Sequence, residues 1–359
     1  MEIYFQRQVH NALDLVNNFQ GTEPFHHYLK SQFAKNKHWG SKDRKRYRAL
    51  CYLYWRYYKV LRELPLQEQS SFLYQAFQEN TTQFTKAYND WSAYLSKCIN
   101  IEDLNSGFAA EPPVFMRLKK ESWKNVEAFI EQNQIPSIQF DEIMVQFQSQ
   151  VELNPLVENG HGFIQDISSQ LAMRKLSETI QPKLVWDTCS GAGGKSLDLA
   201  FDIPNVKLFC SDRRSSILLN LRERFKTLNL SIPETAEFDL LDKESSTYPP
   251  MIQQDLILAD VPCTGSGTWR RNPENIAFFN PQSIETYQNI QYSILEKLAP
   301  FVQKGNHLYY LTCSVFEAEN ELNTQKFCKQ FKFEVVFENY FGGRAVNGDT
   351  IYGCLMQRK

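Results

Sequence analysis

Residues 184–196 read LVWDTCSGAGGKS. A short apolar run ends in Asp187, three glycines follow within four positions (Gly191, Gly193, Gly194), and an apolar helical stretch then runs from Leu197 to Phe201. Glycines let a backbone approach a ligand closely, and the first turn of a new helix offers unpaired amides. The stretch therefore predicts a strand, a cofactor loop and a helix. It fits neither G-x-G-x-x-G nor the phosphate cradle G-x-x-x-x-G-K-[ST]: Gly194-Lys195-Ser196 is present, but the leading glycine stands at the wrong distance.

Working outward, VKLFCSD (206–212), AEFDLL (236–241), DLILAD (255–260) and HLYYLTC (307–313) alternate with helical patterns. Short apolar strands between helices predict an α/β fold with a doubly wound, mostly parallel sheet. In that fold an aspartate at the end of the second strand, Asp212, accepts the hydroxyls of a ribose, and Asp239, after the third, reaches the adenine side of the ligand. The fourth strand ends in Asp260 and runs into V-P-C-T-G-S-G-T-W-R-R-N-P, which presents Cys263 on a proline turn and places Arg270 and Arg271 for phosphate. The fifth ends in Thr312-Cys313-Ser314, before a helix rich in glutamate. Ligands of such sheets bind beyond the carboxyl ends of the strands. Cys263 and Cys313, 50 residues apart, are therefore expected to face one crevice.

The chain of 359 residues is long enough for a catalytic domain and attached modules, and 42% hydrophobic residues supply packed cores. A net charge of -2 excludes a chain that is basic throughout, yet residues 30–62 hold eleven Lys or Arg against the single acid Asp43, a local charge of +10. That run, interleaved with aromatics, predicts a phosphate-binding face, with Arg44, Lys45, Arg46 and Arg48 at its centre. Glycine is absent between Gly40 and Gly107 and Pro65 is the single proline there, so the N-terminal part is expected to be all-helical. From 108 to about 154 an extended run, a helix (ESWKNVEAFIEQN) and a β-like segment (IMVQFQSQVEL) predict a small α/β insert. The expected domains are 1–105, 106–155 and 156–359. No run of 18 apolar residues is present, residues 1–14 lack the charged-then-apolar order expected of a secretory leader, and the eight cysteines are scattered without zinc spacing. A cytoplasmic monomer without metal is expected.

These motifs together resemble the Fmu/Sun family of RNA cytosine-5 methyltransferases. The family loop D-x-C-A-A-P-G-G-K is similar to residues 187–195, D-x-P-C-S-G-x-G-x-x-R-R to 260–271, T-C-S-x-x-x-x-E-N-E to 312–321, and G-x-x-x-Q-D-x-S-S/A-Q to 162–170. Residues 40–46 and the aromatic helix after them resemble the family's helical RNA-binding module, and residues 348–356 its closing β-hairpin, with no further C-terminal RNA module expected. Ala192 departs from the usual proline, and Gly191 from a common alanine.

The resemblance implies a Rossmann-type methyltransferase domain and S-adenosyl-L-methionine as cofactor, lined by Cys189, Ser190, Gly191, Ala192, Gly193, Gly194 and Lys195. It implies that Asp212 holds the ribose, that Asp239 sits by the adenine and that Asp260 lies between donor and target base. Carbon 5 of cytosine is a poor nucleophile until a thiolate adds at carbon 6. The chemistry accepts either cysteine; the resemblance assigns Cys313 as nucleophile and Cys263 to product release, with Lys195 a candidate for activating a thiol. RNA, ribosomal RNA first, is the implied substrate. Transfer RNA, a silent RNA-binding assembly factor and, from the strand-loop-helix with Asp212 alone, a nicotinamide-dependent dehydrogenase are the alternatives.

Overall fold

The computed structural model describes residues 2–79, 91–109, 111–148, 151–242 and 254–359. Residues 80–90 of the expected helical region and 149–150 of the expected β-like segment lie outside the described residues.

The chain opens with α1 (Glu2–Asn17), α2 (Phe25–Lys35), α3 (Ser41–Arg56), α4 (Tyr58–Leu61), α5 (Leu66–Glu79) and α6 (Ile101–Ala109). Apolar side chains three and four apart on α1 (Phe5, Val9, Ala12, Leu13, Val16) and α3 (Tyr47, Leu50, Cys51, Tyr54) make one stripe each, and these stripes form a common core. Asp43, the lone acid of the basic run, ties α3 to α1. Its carboxylate accepts from Tyr4 OH at 2.6 Å and from Gln8 Nε2 at 2.7 Å, and from the Gly40 amide before the helix at 3.3 Å. The Tyr4 hydroxyl foremost holds the Asp43 carboxyl below its ordinary range.

β1 (Val114–Leu118), α7 (Trp123–Gln132), β2 (Ser137–Asp141), β3 (Met144–Phe147), α8 (Asn154–Glu158) and β4 (Gly162–Ile164) build a small antiparallel sheet in the order β2-β3-β1-β4, with α7 packed through Val126. The fourth strand comes from residues that the sequence reading placed beyond the insert. Arg117 of β1 is buried and pairs with Asp198 and Asp202 of a helix in the larger sheet's layer, which joins the two sheets.

The larger sheet contains β5 (Leu184–Asp187), β6 (Lys207–Asp212), β7 (Glu234–Glu237), β8 (Leu256–Asp260), β9 (His307–Thr312), β10 (Phe333–Gly342) and β11 (Thr350–Arg358), in the order β10-β11-β9-β8-β5-β6-β7. The five strands from β9 to β7 run parallel, and β10 and β11 form an antiparallel hairpin at one edge. Helices α9 (Ile167–Thr179), α10 (Gly194–Asp202), α11 (Ser215–Thr227), α12 (Glu274–Phe278), α13 (Gln282–Leu298) and α14 (Glu321–Phe331) complete the chain. Side chains of a strand alternate between faces, so a sheet covered on both sides needs continuous apolar runs. Ile257, Ala259, Leu308 and Tyr310 pack on the face of α13, while Leu256, Leu258, Tyr309 and Leu311 pack on the face of α9. The third strand is shorter than expected. It ends at Glu237, and Asp239 turns the chain by accepting the Leu241 amide at 2.8 Å.

The chain divides into two compact units. One holds Met1–Ala93, Asn100–Glu111 and Trp269–Pro281; the other holds Tyr94–Ile99, Pro112–Thr268 and Gln282–Lys359. Segment 269–281, whose first five residues the sequence reading took with the loop after the fourth strand, is thus a structural part of the helical unit. Arg56 closes that unit from inside: it is 5% exposed and donates to the carbonyls of Phe108 and Arg270, each at 2.9 Å. Burial foremost lowers its guanidinium to about 10. Arg56→Ala removes both of these buried charge-assisted hydrogen bonds and is expected to cost about 3 kcal/mol in urea unfolding.

Candidate active site

The strand order reverses between β5 and β8. Chain order runs β5, β6, β7 to one side, then returns to β8 beside β5 and on to β9. A crevice opens at the carboxyl ends of strands at such a point. Here it is a cavity of about 570 Å³ lined by the loops after β5, β6, β7, β8 and β9.

Its floor is the loop 188–193. Gly191, at φ +51°, donates its amide to Asp212 Oδ2 at 3.0 Å, and Gly193, at φ +77°, is the left-handed residue that starts α10. A Cβ at Gly193 would stand 2.7 Å from Leu221 Cγ, whereas one at Gly191 meets nothing within 4 Å, so the open space above Gly191 belongs to the cavity. Arg224 of α11 donates to the Ala192 carbonyl at 2.7 Å and so holds the loop where a proline ring is absent. Cys189, Ser190, Gly191, Ala192, Gly194, Lys195, Asp212, Asp239 and Asp260 line the cavity, with Gly193 behind them. Asp212 is already engaged by Arg214, whose amide and Nε donate to Oδ1 at 3.0 and 3.1 Å.

Two buried acceptors on this wall have no partner: Asp187 Oδ1 and Gln165 Oε1. Their other atoms are fixed, Asp187 Oδ2 by Ser196 Oγ at 2.5 Å and Gln165 Nε2 by Asp198 Oδ2 at 2.6 Å. Desolvation foremost pushes Asp187 up to about 7, against the Ser196 hydrogen bond that lowers it. Orphaned acceptors aimed into a cavity call for a ligand with donor groups. Both residues stood inside quoted motifs, yet the sequence reading gave neither a role, because a strand-end aspartate is ordinarily a cap or turn.

The two thiols meet. The parallel register sets Asp260 opposite Leu311, so residues three beyond one and two beyond the other emerge side by side. Cys263 Sγ and Cys313 Sγ are 3.0 Å apart at the cavity wall, and both thiols are free. The Cys313 sulfur foremost, then burial, pushes the Cys263 thiol well up. Lys195 Nζ lies 2.5 Å from Asp260 Oδ2. Burial pulls this ammonium down, but attraction to Asp260 and then Cys313 outweighs it and the group ends raised, a fixed cation beside the sulfurs.

The basic residues divide. Lys45, Arg46 and Arg48 are exposed on α3, and Arg44 is half-buried with Nε on the Trp39 carbonyl at 2.9 Å. Arg271 is exposed, but Arg270 is 7% exposed in the core of the helical unit, so the expectation that Arg270 grips phosphate is corrected. Its neighbour Trp269 packs edge-on against Trp91 at 5.2 Å, and that packing draws the start of the segment inward.

Among known proteins, a probable ribosomal RNA small subunit methyltransferase B of Synechocystis sp. is 32% identical over 175 residues, 48% of this chain and 38% of that protein. Ribosomal RNA small subunit methyltransferase B of Proteus mirabilis is 24% identical over 316 residues, 84% of this chain and 72% of that protein. The chain therefore spans well under half of the first relative. The crystal structure of PH0851 superposes with a TM-score of 0.73 at 15% identity, covering 98% of this chain and 99% of that one, a likeness of fold. Residues 176–347, which carry the cavity loops and both thiols, match the family described as 16S rRNA methyltransferase RsmB/F.

Proposed function

We propose that this chain transfers a methyl group from S-adenosyl-L-methionine to carbon 5 of a cytosine in RNA, ribosomal RNA first. The observation that carries the reading is the pair of free thiols 3.0 Å apart in the same cavity as the glycine loop and Asp212. The names of the relatives and the family match support the ribosomal substrate. Eight free cysteines fit a reducing cytoplasm.

The cavity residues fit the donor. Asp212, steadied by the Gly191 amide, suits a ribose, Asp239 the adenine side, and the unpaired Asp187 Oδ1 the amino group of the amino-acid end. Bound S-adenosyl-L-methionine supplies an electrophilic methyl group. The two sulfurs share a contact in which either can donate, and the resemblance assigns Cys313 as the one to attack carbon 6 as thiolate, with the Lys195 ammonium held in the same cavity. Addition would raise electron density at carbon 5, which would take the methyl group as the donor's methyl–sulfur bond breaks and its electron pair stays on the neutral thioether. The carbon 5 proton then leaves to a base and the C6–S bond breaks, returning the Cys313 thiolate; Cys263 assists this release. Asp260, held by Lys195, would lie between donor and base, as the resemblance implies. Domain 1–105 binds RNA backbone through Lys45, Arg46 and Arg48.

Incubation with labelled donor and undermethylated small-subunit ribosomal RNA is expected to yield 5-methylcytosine; donor binding without any such product overturns the reading. Donor affinity carries a pH signature. The Asp187 carboxyl is raised, so in the donor-free protein it contributes stability at low pH that is lost as pH rises through about 7. A cationic amino group prefers the carboxylate, so affinity rises toward pH 7 and falls below it, by up to about tenfold per unit. Calorimetry from pH 5 to 8 checks this, and Asp187→Asn removes the slope.

A further inference from the structure

The thiols ride on the loops 261–268 and 313–316, where a single 3-10 turn (Ser266–Thr268) is the only regular element, yet both sulfurs must reach one pyrimidine ring. One buried side chain grips both loops. The Glu319 carboxylate is fully buried. Its Oε1 accepts from Thr264 Oγ1 and from Ser314 Oγ, each at 2.5 Å, and its Oε2 from the Thr264 amide at 3.0 Å and from Gln291 Nε2 at 2.8 Å. Thr264 follows Cys263, Ser314 follows Cys313, and Gln291 lies on α13.

We propose that Glu319 is a positioning residue whose four hydrogen bonds lock Thr264 and Ser314 against α13 and thereby hold the sulfurs of Cys263 and Cys313 at the separation at which both address one base. The proposal rests on the methyl-transfer reading of the site, but its test stands apart from that reading. Other ties join the loops, Gly267 N to the Cys313 carbonyl and Val315 N to Ser266 Oγ, each at 2.9 Å, and the Thr264 and Ser314 hydroxyls to each other at 3.3 Å, but the Glu319 carboxylate bonds both of these residues and α13 at once. The residue type matters. A carboxylate is acceptor-only with about four lone-pair sites, and four neutral donors occupy them here. A carboxamide of the same shape brings two N–H donors of its own. With its oxygen toward the Thr264 amide and Gln291 Nε2 and its NH2 toward the Thr264 and Ser314 hydroxyls, which rotate to accept, a carboxamide keeps four bonds and loses only the charge, so removal of the carboxyl group is the sharper test.

Two variants of the full chain test this, Glu319→Ala, which removes all four acceptor contacts, and the milder Thr264→Val, which deletes one hydroxyl donor and keeps the backbone amide. Methyl transfer is measured as kcat and KM for donor and RNA, and alkylation of Cys263 and Cys313 by iodoacetamide is followed by mass spectrometry. Glu319→Ala is expected to lower kcat about 100-fold with the KM for donor within threefold, the scale of an ångström's misplacement of a reacting group. The two thiols, expected to compete for the reagent in the parent protein, are then labelled independently. Thr264→Val gives the same pattern with about a tenfold loss, and decides the matter if Glu319→Ala does not fold. Folded variants with kcat within twofold of the parent and its alkylation pattern overturn the proposal, as does a change confined to melting temperature. If the parent protein methylates no RNA, the functional reading fails, and the alkylation comparison still judges the role of Glu319.

Discussion

Cys313→Ala is expected to lower methyl transfer to RNA by about 10⁴-fold or more while donor binding stays within about twofold, because loss of a covalent nucleophile removes the pathway rather than weakening it. The cavity wall that meets the donor, Asp187 to Lys195 with Asp212, is built by β5, β6 and α10, and deleting one sulfur at the end of β9 leaves it intact. Cys263→Ala is expected to behave differently. With Cys313 still able to add at carbon 6 and the release partner gone, a protein–RNA adduct accumulates, seen as a gel shift that survives denaturation. Full activity in Cys313→Ala would hand the nucleophile's role to Cys263, 3.0 Å away. A freely released product from Cys263→Ala would remove its part in release.

Gly267→Ala is the second substitution with a large expected effect. A methyl group there would lie 2.0 Å from the Thr350 carbonyl oxygen and 3.1 Å from that of Cys313, both of them backbone atoms. Backbone cannot swing aside as a side-chain tip can, so β11 or the Cys313 loop must shift. The expected cost is about 3 kcal/mol in urea unfolding. Because the Gly267 amide bonds the Cys313 carbonyl at 2.9 Å, the same shift moves the nucleophile, and activity of the folded fraction should fall with stability. A variant as stable and as active as the parent would show that the close approach at Gly267 is relieved elsewhere.

Much of the larger sheet was legible because a doubly covered sheet demands apolar runs without alternation, and 184–187, 206–212, 255–260 and 307–311 all have that form. The third strand was less so: AEFDLL contains as much apolar character, yet it ends at Glu237, because Asp239 prefers a turn in which its carboxylate meets a backbone amide. The glycine loop was legible as the turn from strand to helix, and the structure places it against the cavity. The bond from Arg224 to the Ala192 carbonyl was not, since the partner lies 32 residues away on another helix.

The basic run shows the limit more sharply. A helix periodicity cannot tell a solvated arginine from one turned inward, and Arg56 and Arg270, read in the same patterns as their exposed neighbours, both serve the interior of the helical unit. Glu319 was hidden for a related reason. It stands in a glutamate-rich stretch that suggests favourable charge near a helix N-terminus, while its task depends on three groups from other parts of the chain.

By itself the sequence determined the chemistry on offer: a parallel sheet, a glycine loop, aspartates at strand ends, and two cysteines at the ends of neighbouring strands. These follow from local rules of periodicity and turn formation that act over a few residues. Tertiary structure alone decided which groups pair, which are left unpaired and how far apart the sulfurs stand. Hydrogen bonds and burial are set by residues distant in sequence, and only the folded chain brings Asp187 Oδ1 into a cavity without a partner and Glu319 between the two thiol loops.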